Sequence, residues 1–123
     1  MSYHNKWEAK GIYRKFTGIV SGQEVLLSNY AIQGDPRFDD IRYVINDFTE
    51  IVDFEVSTRD IDPIAAVDNA ASISNPNIKV AIVATLEPLL LWAKRYCANM
   101  QGSPYECELF NSIDDAAKWV CGR

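Results

Sequence analysis

Histidine is nearly absent from this 123-residue chain, since its one example is His4, close to the amino terminus. A histidine-based triad would need its base at the start of the chain, where chains are usually least ordered. Glycine-rich phosphate loops are missing too, because Gly18 and Gly22 have neither GxGxxG nor GKS/GKT spacing. We find no catalytic constellation and expect that the protein is not an enzyme.

Cysteine is also scarce. Cys97, Cys107 and Cys121 are odd in number and include no CxxC pair, and their spacing matches no zinc motif. Residues 1–6 lack the apolar core of a signal peptide. We therefore expect free thiols in a reducing cytoplasm, with no metal and no cofactor.

Long apolar runs and an excess of positive charge are lacking as well. The longest apolar run, residues 80–93, is interrupted by Glu87 and Pro88 and is shorter than the roughly 20 residues that a membrane-spanning helix needs. The net charge is −5, whereas nucleic-acid-binding surfaces are usually basic. We expect one domain over residues 1–123, no transmembrane segment and no nucleic-acid partner.

Residues 42–49 form the segment that looks most buried, and turn-forming residues bound it on both sides. Its β-branched and aromatic side chains predict a central strand over residues 43–47, ending at Asp47. Val44 and Ile45 should then be buried on opposite faces of the sheet. Within residues 50–56, apolar residues alternate irregularly with acids. Two interpretations stay open for this stretch: a loop or a short extra strand.

The other predicted elements alternate along the chain. Residues 6–18 indicate an antiparallel hairpin divided near Gly11, and a capping box of Ser21 and Glu24 opens a helix over residues 22–33. The apolar stripe of that helix contains one polar residue, Asn29. Proline, cap and stop signals then predict a helix from about residue 60 to 73, a strand over 79–85, a helix opened by Pro88, a strand over 105–110 and a last helix opened by Ser112. This order predicts a layered α/β domain with a mainly parallel sheet and four helices.

Two surfaces are candidates for binding. Acids outnumber bases between residues 35 and 68, so Asp47 and Asp53 could hold a cation or face a basic partner; a solvated acidic face is the alternative. The third helix begins with four apolar residues, 89–92, and one face cannot bury all four. Leu90, Leu91 and Trp92 are the candidates for a second contact. These three residues could line a pocket or contact a partner, unless packing covers them.

Three stretches resemble the STAS superfamily of anti-sigma-factor antagonists, and more closely its uncharacterised bacterial SpoIIAA-like branch. They are residues 43–49 (YVINDFT), 79–84 (KVAIVA) and 108–120 (ELFNSIDDAAKWV). The resemblance implies a four- or five-stranded mixed sheet with helices mainly on one side. It also implies a phosphoacceptor position at Ser57 or Thr58, although this chain lacks the Asp-Ser-x-Gly surroundings of the family. By sequence alone, Ser57 or Thr58 is a helix cap.

These observations favour a non-enzymatic regulatory or protein-interaction domain with an unidentified protein partner, or a second copy of itself in a homodimer. The alternative is a domain that binds or carries a small apolar ligand. A carrier would need an enclosed pocket of a few hundred Å³ lined by Leu90, Leu91 or Trp92. An interaction domain would present the same residues on an open patch.

Overall fold

The computed structural model describes residues 3–55, 59 and 61–121. These residues form five strands and four helices in the predicted order of a hairpin followed by alternating helices and strands. In chain order the elements are β1 (Tyr3–Trp7), β2 (Gly11–Ser21), α1 (Gly22–Gln33), β3 (Tyr43–Glu55), α2 (Ile61–Ser74), β4 (Lys79–Val83), α3 (Glu87–Asn99), β5 (Glu106–Phe110) and α4 (Ile113–Val120), with a 3-10 turn at Pro36–Asp40.

The strands form one sheet in the order β1-β2-β3-β4-β5. Strand β1 is antiparallel to β2 at the edge, and every other neighbouring pair is parallel. Strand β3 lies in the middle, with Val44 opposite Val80 of β4. The mixed, mainly parallel sheet and the central place of β3 are therefore confirmed.

The two faces of the sheet carry separate apolar cores. Val44 packs in the larger core with residues of α1, α2 and α3, whereas Ile45 packs in a smaller core with Ala116 and Val120 of α4. Successive residues of a strand point to opposite faces, so β3 is buried on both sides. The predicted opposite burial of Val44 and Ile45 is confirmed.

The first hairpin shows why Gly11 is a glycine. The prediction divided the hairpin near Gly11. The turn instead falls at residues 8–10, and Gly11 is the first residue of β2. A Cβ atom on Gly11 would lie 2.4 Å from the ring of Tyr43, its partner on β3. Close approach of two strands, rather than turn conformation, therefore requires glycine here.

The prediction that β3 ends at Asp47 is wrong. The strand continues to Glu55, and β2 pairs with it over this length. Two register shifts relative to β2 interrupt the pairing, and the first lies just after Asp47. There the Asp47 Oδ1 accepts hydrogen bonds from the Thr49 amide and hydroxyl, at 2.9 and 2.7 Å. The polar, acidic stretch after Asp47 is thus a bulge and not a stop. We call residues 17–21 and 50–55 the β2–β3 ribbon.

Within the described residues, no helix has the length and apolar character needed to cross a membrane. The longest, α2, has 14 residues.

Replacing Ile45 with Ala should lower the free energy of unfolding by about 2–5 kcal/mol, because the side chain is buried between β3 and α4. Urea denaturation measures the change. Val52→Ala is the matched control on the same strand, since Val52 is 75% exposed and should cost little. A loss below about 0.5 kcal/mol at Ile45 would contradict its placement in a central strand.

Candidate functional site

The two acids predicted for a binding surface lie in different environments. Asp47 is buried on the α4 face, where its Oδ2 accepts a hydrogen bond from the Tyr13 hydroxyl. Asp53 is exposed on the ribbon, and its Oδ1 accepts from the Phe54 amide at 2.8 Å. Because Asp47 has donors from Tyr13 and Thr49, we interpret it as a structural acceptor.

The three apolar residues at the start of α3 also separate. Leu91 is 70% exposed, Leu90 is half-buried against the larger core, and Trp92 is buried in that core. The Trp92 ring packs edge-on against Phe54 of the ribbon, with 5.3 Å between ring centroids. Leu91 therefore belongs to the surface and Trp92 to the interior. The predicted phosphoacceptor equivalents, Ser57 and Thr58, lie outside the described residues.

A buried polar cluster lies between the sheet and the first three helices. Arg14 of β2 donates through Nη1 to the Asn29 Oδ1 at 2.8 Å and through Nη2 to the Ser28 hydroxyl. Asn29 in turn donates to Asp68 of α2, with its Nδ2 3.2 Å from Oδ1. The Tyr96 hydroxyl of α3 also donates to Asp68. The cluster thus joins the sheet to three helices.

Local sequence pattern places these residues inside. Arg14 alternates with Ile12 and Phe16 along β2, so all three face the helices. Asn29 occupies the buried stripe of α1 between Val25 and Ile32. Their neighbours are apolar, so the polar groups must find partners within the protein.

Burial dominates the electrostatics of the cluster. It raises the pKa of Asp68 to about 6, against the hydrogen bond from Tyr96 and the charge of Arg14, both of which favour the carboxylate. Burial also lowers the pKa of Arg14 to about 10, against the attraction of Asp68. The guanidinium is therefore still charged at neutral pH. Asn29 separates the two charges, and no ion pair joins them directly.

A cavity of about 50 Å³ opens beside this cluster. Its walls combine the cluster with apolar side chains and Asn46 of β3. The lining residues include Arg14, Asn46, Phe48, Asp68, Trp92 and Tyr96. Within the described residues, two buried nitrogens on these walls have no hydrogen-bond partner, Arg14 Nε and Trp92 Nε1.

Two of the thiols form a separate feature. Cys97 of α3 and Cys107 of β5 lie within hydrogen-bond reach of each other and line an open groove between the two elements. The hydrogen bond lowers the pKa of Cys97, whereas this contact and burial raise the pKa of Cys107. Both residues pack against the larger core. Cys97 and Cys107 form no disulfide.

No group of three or more acidic, histidine or cysteine side chains in the described part of the chain is arranged as metal ligands would be. The only histidine, His4, is exposed on the edge strand β1.

Among the solved structures that share this architecture is an uncharacterised protein of the DUF3478 family, with a SpoIIAA-like fold, from Shewanella loihica PV-4. The two chains are 22% identical, and the match covers 98% of this chain and 94% of that chain, with a TM-score of 0.54. No protein-family model matches, and neither does any curated protein. The chain therefore has a SpoIIAA-like fold, as the resemblance implied. At this identity the likeness establishes the fold and no activity.

The cluster makes a pH-dependent contribution to stability. The pKa of Asp68 is raised in the folded protein, so the folded state binds this proton more tightly than the unfolded state. The contribution is present at low pH and is lost as pH rises from about 4 through about 6. We expect the stability difference between wild type and Asp68→Asn to shift by about 2–3 kcal/mol across that range.

Urea unfolding of both proteins at several pH values measures this shift. Asp62→Asn is the matched control, because Asp62 is exposed near the start of the same helix. A wild-type and Asp68→Asn difference that does not change with pH would show that Asp68 titrates as it does in the unfolded chain.

Proposed function

We propose that this domain is a non-enzymatic regulatory or protein-interaction domain, and that its partner contacts one end of the molecule. The observation that carries the proposal is apolar surface at the carboxyl end of the parallel strands. Ile19 and Val52 on the ribbon and Leu91 on α3 are 55%, 75% and 70% exposed. We call these three residues the carboxyl-end patch.

Packing joins the two elements that carry this patch. Residues Ile19 and Asp53 are opposite each other on the ribbon, with Val52 in the register shift between Gly18 and Ile19. Phe54 contacts Trp92, the neighbour of Leu91. The ribbon and the start of α3 are therefore adjacent. Monomeric proteins rarely leave clustered large apolar side chains in water without a use for them.

Charge around the patch favours a basic partner surface. Three acids, Glu50, Asp53 and Glu55, are exposed on the ribbon. Among the described residues, Glu50 is the one of these three that forms a salt bridge, with Lys15. Acidic groups around an apolar centre complement a partner that carries an apolar centre with a basic rim. A homodimer through this patch would bring like charges together, so a different protein suits it better.

A second candidate function is small-ligand binding, which the cavity beside the buried polar cluster favours. Of the three predicted pocket residues, Trp92 lines that cavity, and Leu90 and Leu91 do not. Its volume of about 50 Å³ is far below the few hundred Å³ expected of a carrier of apolar ligands. A large apolar ligand therefore does not fit this cavity as it stands.

Site-specific photo-crosslinking tests the proposed interaction. A benzoylphenylalanine placed at Val52 or at Leu91 should yield one and the same protein adduct in the source cells. Ile73 is the matched control, because it is 83% exposed but lies at the end of α2, away from the patch. An equal adduct from Ile73, or none from Val52 and Leu91, would contradict a partner at the carboxyl-end patch.

A further inference from the structure

The cavity beside the buried polar cluster carries polar groups that the protein leaves unused. Trp92 is 7% exposed, and its indole Nε1–H has no acceptor among the described residues. Asn46 is 9% exposed, and its amide makes no side-chain hydrogen bond with any described residue. Both line the cavity. Buried polar groups normally have partners, so an unpaired indole and an unpaired amide that line one cavity indicate an absent occupant.

Donors are in excess among these groups. Trp92 offers an N–H and no acceptor, while the Asn46 amide offers two N–H groups and one oxygen. The guanidinium of Arg14 also lines the cavity and supplies a positive charge, and its two hydrogen bonds go to the neutral oxygens of Ser28 and Asn29. An occupant that accepts hydrogen bonds and carries negative charge matches these donors.

We propose that the cavity is a binding site for a small carboxylate, with one oxygen accepting from the Trp92 indole and another from the Asn46 amide. Apolar side chains that line the cavity, Phe48 among them, would contact the short hydrocarbon part. The volume of about 50 Å³ limits the ligand to a short-chain acid and excludes a fatty acid. This site lies beneath the helices, so the proposal goes beyond the carboxyl-end patch and does not depend on it.

Neighbouring groups leave the two donors available. Asp68, the nearby carboxylate, already accepts hydrogen bonds from Asn29, Gln33 and Tyr96, and Asn29 stands between it and Arg14. Arg14 Nε and the Oδ1 of Asn5, its register partner on β1, are both unpaired, so these two atoms are not bonded to each other. Arg14 contributes charge, and Trp92 and Asn46 contribute free hydrogen-bond donors.

Acetate is the probe, and the three indole N–H signals of Trp7, Trp92 and Trp119 are the readout. Sodium acetate is titrated into ¹⁵N-labelled protein at pH 7 while sodium chloride keeps the ionic strength constant. The Trp92 signal, assigned from the Trp92→Phe spectrum, should shift saturably while the other two stay fixed. A Trp92 signal that does not shift, or that drifts linearly with the others, means that the cavity holds water only, and it overturns the proposal.

Variants identify the donors. Asn46→Leu keeps a similar side-chain volume without the amide. It should weaken acetate binding at least tenfold, while the other backbone amide signals remain those of the folded protein. Trp119→Phe, on the opposite face of the sheet, should leave the affinity unchanged. An unchanged affinity in Asn46→Leu, or an equal response of Trp92 to chloride, would overturn the assignment. If Asn46→Leu does not fold, an NOE in the wild type between the acetate methyl protons and Trp92 decides, because its absence at saturation excludes the site.

Discussion

Burial of β3 on both faces is the constraint on which the rest of the structure depends. Val44 needs three helices over one face and Ile45 needs a fourth over the other, so the chain must return beneath the sheet after β5. The same strand brings Asn46 to the wall of the cavity and buries Asp47 beside Tyr13 on the far side. A strand that carries both apolar cores and polar groups can hold those groups at fixed positions, because packing leaves its backbone little freedom.

Most of the fold could be predicted because its signals are local. The capping box of Ser21 and Glu24 marked the start of α1, and it forms as expected. The uninterrupted apolar run of β4 is typical of a strand that is covered on both faces, and β4 has a parallel neighbour on each side. The prediction of the end of β3 was wrong because a polar residue was interpreted as a strand terminus. Asp47 reads as the end of a strand, but it supports a bulge by accepting hydrogen bonds from Thr49, which no local pattern separates from a turn.

The candidate site was harder to predict for a physical reason. Arg14, Asp68 and Tyr96 come from β2, α2 and α3, and each alone has the character of a surface or edge residue. The available signal was that Arg14 alternates with two buried residues and that Asn29 interrupts an apolar stripe. Periodicity can show that such residues face inward, but not which partners they meet there. That pairing depends on how the helices pack across the sheet.

The cost of the buried polar cluster bears on what the domain does. Transferring Arg14 and Asp68 from water costs several kcal/mol for each ion, and a pair separated by Asn29 recovers less of that cost than a direct ion pair does. Well-packed apolar side chains would stabilise such a core at least as well, so stability alone does not account for the cluster. The cost is better explained if the cluster positions groups that meet a third component. Trp92, with its ring stacked on Tyr96 and its indole nitrogen unpaired in the cavity, is the point in the structure where such a component would bind.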